Sequence, residues 1–294
     1  MRFEIDAVPP FSLSAVIHSH GWARLAPFNF DSEEEQLSYT CQLKEKRVVN
    51  LSFEEIPNGV AVKSNLSLNK EEQREICAVV TWMLGLDQDF SEFYEIARQE
   101  PKLKQVQEKA QGRLLRCPTL FEDTVKTILT TNTAWSGTIR MTQALVSQFG
   151  EPLPGDSNQH AFPTAERIAA SDEHTLRGTT RLGYRSPYIH NLAQEIQSGK
   201  LDLESLKTAS VPTDQLRKEL LSIKGVGNYA AANLLMLLGH YSYLTIDSWA
   251  IKMVSHEWHD DQTIGPSQVE NAFGKWGEWK GLAYWLWDWS YGAE

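Results

Sequence analysis

Cysteine is scarce in this chain of 294 residues, and the three present, Cys41, Cys77 and Cys117, form no CxxC pair. Three widely spaced thiols cannot ligate an iron–sulfur cluster, and the pattern suits reduced thiols rather than a disulfide framework. Long apolar runs are missing as well. No segment reaches the roughly 20 apolar residues that a membrane-spanning helix needs, so no membrane partner is expected. The start, MRFEIDAVPP, carries neither the basic nor the apolar stretch of a secretory signal, which leads to an expected cytoplasmic location. The eight histidines form no HxxxH or HxE cluster. His18/His20 and His256/His259 are close pairs, but no cysteine or acidic set stands at ligand spacing from either. Neither a metal nor a cofactor is expected.

The charge is unbalanced towards acid, with a formal net charge of −10. Its distribution matters more than its sum. Residues 1–100 carry 9 basic and 17 acidic side chains, residues 101–256 carry 17 and 14, and residues 257–294 carry 2 and 7. The middle of the chain is therefore mildly basic between two acidic ends. A protein of this kind can bind a polyanion through a few phosphate contacts, with a shallow salt dependence. Hydrophobic residues make up 41%, enough for a sizeable core.

The chain divides at a change of hydrophobic period. Over residues 11–66 the runs FSLSAVIHS, LSYTCQL, VVNLSFEEI and GVAVKSNLS alternate or carry β-branched residues, and IPNGV supplies a turn. These predict a small antiparallel sheet. From Asn69 the period becomes helical. EEQREICAVVTWML places Ile76, Val79, Val80 and Met83 on one stripe, and Asn69 with Glu72 forms a capping box. FSEFYEIARQ predicts a short helix. FEDTVKTILTTN, with Phe121, Val125, Ile128 and Leu129 on one side, predicts an amphipathic one, and further helices follow to the end. The expected fold is mainly α with an N-terminal antiparallel β-sheet (α+β), the helices forming a bundle. The expected domains are 1–112, the sheet with helices, and 113–294, wholly helical.

Residues 220–233, LLSIKGVGNYAAAN, hold the most specific pattern. Lys224, Gly225, Val226 and Gly227 form a short turn between two helices. Glycines at 225 and 227 permit positive φ and close backbone approach. The following helix aims its unpaired N–H groups and positive dipole at the turn, an arrangement that suits a phosphate. Ile223 and Val226 are placed to pack beneath it. Twenty residues after Gly227 comes Asp247, in LTIDSWAIK. A carboxylate there suits an N-cap of the next helix as well as chemistry.

The GVG hairpin with this downstream aspartate resembles the helix-hairpin-helix (HhH-GPD) base-excision DNA glycosylase superfamily, between its 8-oxoguanine and alkyladenine (3-methyladenine) glycosylase II branches. The resemblance covers residues 115–256 well. It implies a hairpin that anchors DNA and a catalytic role for Asp247. TNTAWSGTIRMTQALVSQFG and LGYRSPYIHNLA resemble further stretches of the 8-oxoguanine enzymes. Carried over, Tyr184 would wedge into the base stack, and Asn132 and Arg185 would contact the orphaned base. The partner implied is double-stranded DNA containing a damaged base, met by a monomer; in a bacterium the location would be the nucleoid.

Two departures shape the expectation. Bifunctional members carry a lysine as the second residue after the last hairpin glycine, and its amine forms an imine with the sugar. Here that position is Tyr229, which cannot. At the C-terminal end, GLAYWLWDWSYGAE resembles an aromatic cage for a cationic methylated purine rather than an oxoguanine pocket. The base pocket expected is Trp249, Tyr229, Tyr284, Trp285 and Trp287. The function implied is a monofunctional glycosylase that flips out a damaged purine, hydrolyses its N-glycosidic bond and leaves an abasic site in base excision repair. Two alternatives stay open: a non-catalytic DNA-binding helix-hairpin-helix protein, and a bifunctional glycosylase/lyase using another lysine.

Overall fold

Two compact units make up the computed structural model, which describes residues 1–289. The first unit joins Met1–Gln88 to Arg113–Ala209, and the second joins Asp89–Gly112 to Ser210 onward. Compactness therefore groups the chain differently from a single cut at 112. The segment 113–209 belongs with the sheet, because its helices cover the sheet's side chains.

The sheet of the first unit is antiparallel, with strands β1 (Arg2–Asp6), β2 (Phe28–Asp31), β3 (Gln36–Gln42), β4 (Val48–Ile56) and β5 (Gly59–Ser64) in the order β1-β5-β4-β3-β2. Three of these follow the alternating runs. FSLSAVIHS does not: Ser12 caps the N–H of Ala15, and Leu13–Ile17 turn into a helix whose Leu13, Val16 and Ile17 are buried. Alternation there is outweighed by the local cap. In the β4–β5 hairpin Ile56 pairs with Gly59, so Pro57 and Asn58 form the turn. Within EPLPGDSNQHAFPT the expected loop folds into a second hairpin, β6 (Pro152–Leu153) and β7 (Asp156–His160).

Helix Lys70–Leu84 starts at the capping box that the sequence prescribes, with Asn69 accepting from Glu72 N–H and Glu72 accepting from Asn69 N–H. Helix Leu120–Thr130 departs from its amphipathic pattern. Every residue from Leu120 to Leu129 is buried. Most of its charged and polar side chains find partners, although the buried Thr127 hydroxyl has none among the described residues. Lys126 pairs with Glu122 at 2.7 Å, the Tyr39 hydroxyl donates to Glu122 at 2.6 Å, and the Trp22 indole donates to Asp123 at 2.8 Å. Buried charge is tolerated when paired in this way. Burial still raises the Asp123 carboxyl, against the hydrogen bonds that Trp22 and Cys117 donate, to about 6.

The second unit is helical: Ser91–Ala97, Thr213–Ser222, Asn228–Leu237, Ser248–Trp258, Pro266–Phe273 and Lys280–Trp285. An aromatic core runs through it, with Tyr241 stacked on Trp279 at 5.4 Å and Phe273 ringed by Trp258, Trp276, Tyr284 and Trp287. Among the described residues no helix is long and apolar enough to cross a membrane.

Candidate functional site

In the second unit, Thr213–Ser222 and Asn228–Leu237 form the two arms of the hairpin. Ile223 and Val226 are buried beneath the turn, and Val226 N–H donates to Ile223 O at 3.0 Å. Lys224 is exposed on the rim. Gly225 has φ +92°, a left-handed conformation that favours glycine. Gly227 does not: its φ is −94° and it serves as N-cap of the second arm. A Cβ built on it would meet nothing within 4 Å. Neither backbone strain nor packing within the protein calls for glycine there. What its bare Cα offers is access to the first turn of the second arm, where no side chain caps the N–H groups.

The chain then returns through buried Leu244 and Thr245 to Asp247. Asp247 is exposed and N-caps helix Ser248–Trp258, its Oδ1 accepting from Ala250 N–H at 2.8 Å. The other carboxylate oxygen has no protein partner among the described residues. The cap and a solvent-facing anion are therefore one arrangement, not rivals. Burial and then the charge of Asp247 raise the Tyr229 phenol. Tyr284 is raised well above the usual phenol range by burial, then by Asp247 and Tyr229. Both rings thus stay neutral, within electrostatic reach of the carboxylate.

The aromatic residues sort themselves by exposure. Trp249 is 44% exposed, edge-on to Tyr284 at 6.5 Å and to Trp289 at 5.4 Å. Tyr284 is buried behind it and Tyr229 is half-buried, as is Trp285. Trp287, by contrast, is buried. It is 7% exposed, packed on Trp258, Phe273 and Trp276 at ring distances of 5.3–5.4 Å. The last helix stops at Trp285, so Trp287 lies beyond it and turns into the core. Trp289, not Trp287, adjoins Trp249. The end of the aromatic stretch, from Ser290, lies outside the described residues.

The first unit carries the other predicted group. Asn132 is exposed with φ +49°, and its amide donates to the Tyr184 hydroxyl over a long 3.4 Å. Tyr184 is 46% exposed, an uncommon placement for a large ring. Beneath it the Arg185 guanidinium lies 4.5 Å from the ring centroid. Arg185 itself is buried. It is 6% exposed and donates to the backbone carbonyls of Thr131 and Asn132. Its donors are turned inward, so it holds the Asn132 turn and supports Tyr184 instead of presenting a fork to a base.

Helices in pairs, a glycine turn with bare amides and an exposed carboxylate heading the next helix define a helix-hairpin-helix protein. Residues 125–278 match the family model described as HhH-GPD superfamily base excision DNA repair protein, and the chain belongs to that family. It is 28% identical over 167 residues to the DNA-3-methyladenine glycosylase of Bacillus subtilis (strain 168), covering 56% of this chain and 54% of that protein. To DNA-3-methyladenine glycosylase 2 of Escherichia coli (strain K12) it is 25% identical over 178 residues, 58% of this chain and 57% of the other. The chain thus spans little more than half the length of these curated relatives. Its fold is similar to that of the 3-methyladenine DNA-glycosylase from Archaeoglobus fulgidus, with TM-score 0.74, 20% identity and 97% of each chain covered. It is also similar to that of Clostridium acetobutylicum 8-oxoguanine glycosylase/lyase in complex with double-stranded DNA, with TM-score 0.73, 20% identity, and 97% and 95% covered. At such identities the likeness is one of fold.

Proposed function

We propose that this protein is a monofunctional DNA glycosylase that hydrolyses the N-glycosidic bond of a damaged purine, acting as a monomer on duplex DNA. The single observation that carries the reading is Asp247, a solvent-facing carboxylate beside neutral Tyr229 and Tyr284, with no amine at the second position after the hairpin. The names of the curated relatives support a methylated purine, and exposed Trp249 offers such a cationic base a ring face.

The chemistry follows from these parts. Hairpin amides hold a phosphate, and the exposed Tyr184 ring fills the stack as the damaged nucleotide rotates out. As the N-glycosidic bond stretches, positive charge grows on the sugar. Asp247 stabilises that oxocarbenium character and orients the attacking water. The electron pair of the broken bond leaves with the base, whose positive charge makes it a good leaving group. Water supplies the oxygen at the sugar carbon, and its proton goes to solvent through Asp247. The strand stays intact.

The test is product analysis on duplexes carrying methylated, oxidised or deaminated purines. Free base and an intact strand with an abasic site, with no adduct trapped by borohydride, are expected. Tight binding of abasic DNA without base release from any substrate would instead select the non-catalytic reading, and a trapped adduct would select the lyase.

A further inference from the structure

Beside the hairpin, a guanidinium is held by two contacts and forms no ion pair with a carboxylate among the described residues. Arg217, on the first arm, donates from Nη2 to the side-chain oxygen of Asn228 at 2.8 Å. Its guanidinium carbon sits 4.7 Å from the ring centroid of Tyr243. That ring is itself tied back to the first arm, because the Tyr243 hydroxyl donates to Asp214 Oδ1 at 2.5 Å. The plane of the guanidinium is therefore fixed by a stack and by one directional hydrogen bond.

Only one of the five N–H donors of Arg217 has a protein acceptor among the described residues, and the side chain makes no ion pair there. Packing alone would not need this arrangement: an uncharged chain could cover Tyr243 without a cation beside it. Location adds the second strand of the argument. Asn228 is the first residue of the second arm, so the spare donors stand next to the uncapped N–H groups at Gly227. Two kinds of donor, neutral amides and a cation, thus lie close together on the hairpin, and among the described residues no carboxylate pairs with them.

We propose that Arg217 is a second, charged phosphate contact of the hairpin, gripping the DNA backbone beside the phosphate that the amides take. This rests on duplex DNA being the substrate. A planar fork suits a phosphate bidentately, and its preorganisation by Tyr243 and Asn228 reduces the rotamer freedom lost on binding.

The experiment measures binding of wild type, Arg217→Gln and Arg217→Lys to an undamaged duplex by fluorescence anisotropy across a range of salt. Glutamine keeps a planar hydrogen-bonding head group while removing the charge. It is expected to weaken binding about tenfold at low salt and to flatten the slope of log K against log salt by about one, the value for one phosphate contact. Lysine should keep the slope and lose part of the affinity. A glutamine variant with the wild-type slope would overturn the proposal, and so would a drop in melting temperature with binding intact, which would mark Arg217 as purely structural. Because the duplex is undamaged, the result does not depend on base release. Wild type that binds duplex while the glutamine slope is unchanged rejects this contact alone. Wild type that binds no duplex rejects the glycosylase reading and the contact together.

Discussion

Asp247 holds two jobs that substitution can separate. One carboxylate oxygen accepts the Ala250 N–H at 2.8 Å, and the other is unpartnered. Asparagine is as good an N-cap as aspartate, so Asp247→Asn keeps the bond and discards the charge, at a stability cost of a few tenths of a kcal/mol at most. Alanine loses both, and losing the cap costs about 1 kcal/mol. In a chain of this size that lowers the melting temperature by roughly 2 °C. The catalytic term is larger. A unit negative charge about 4 Å from a full positive charge gains about 4 kcal/mol at an effective dielectric near 20. A sugar carrying roughly half a charge at the transition state would gain about half of that. Two to four kcal/mol corresponds to a loss of roughly 30- to 1,000-fold in rate. Single-turnover base release and thermal unfolding, measured on wild type and both variants, give the two readouts. The expected pattern is Asn equal to wild type in stability and equal to Ala in inactivity. Base release by Asp247→Asn within about threefold of wild type would refute the catalytic role and leave Asp247 as a cap.

Replacing Tyr229 by lysine places an amine at the position where lyase members carry one; borohydride should then trap a covalent adduct with substrate DNA that wild type does not form, and its absence would show that the second arm is set differently from theirs. Gly281 packs against the connection that carries Asp247, donating to Tyr241 O at 2.7 Å. A Cβ there would lie 2.5 Å from Tyr243 O and 2.7 Å from Tyr241 O, so Gly281→Ala should displace that backbone, lowering stability by about 1–3 kcal/mol and base release by more than the unfolded fraction explains. Stability against pH, followed by urea unfolding, should reveal two opposed buried groups. Burial lowers His20 to about 4, so its contribution is present above about 6.5 and lost as pH falls through 4. Asp123, raised to about 6, contributes stability present below about 3.8 and lost as pH rises through 6. Each gap is about 3 kcal/mol at most, less for the half-buried His20, so Asp123→Asn should unmask a rise in stability from pH 4 to 6.5 that is nearly flat in wild type.

What could be read from the sequence was what is decided locally. The hairpin turn, with positive φ at Gly225 and Ile223 and Val226 packed beneath it, is set within a few residues, and Asp247 caps a helix within three residues of itself. The capping box at Asn69 and Glu72 is local in the same way. What could not be read depends on partners far along the chain. LGYR says nothing of the Thr131 and Asn132 carbonyls, more than fifty residues away, that claim Arg185. The aromatic run after Gly281 does not say which ring ends in the core, because that depends on where the helix stops and on Phe273 and Trp258 waiting beyond it. Leu13–Ile17 looked like a strand by alternation, yet Ser12 supplied a cap that the period does not register.

Arg217 shows why the net charge misleads. Its sequence, TDQLRKEL, is that of any solvated helix, with acids and bases interspersed. Only the fold pairs Asp214 with Tyr243, Tyr243 with the guanidinium, and the guanidinium with Asn228. Asp214 is thereby occupied by a phenol instead of neutralising the arginine, and a cation is left beside bare amides. A chain of charge −10 can hold a polyanion if its few cations are placed and unpaired where the strand must pass, because counterion release counts the phosphates actually neutralised and not the sum over the surface.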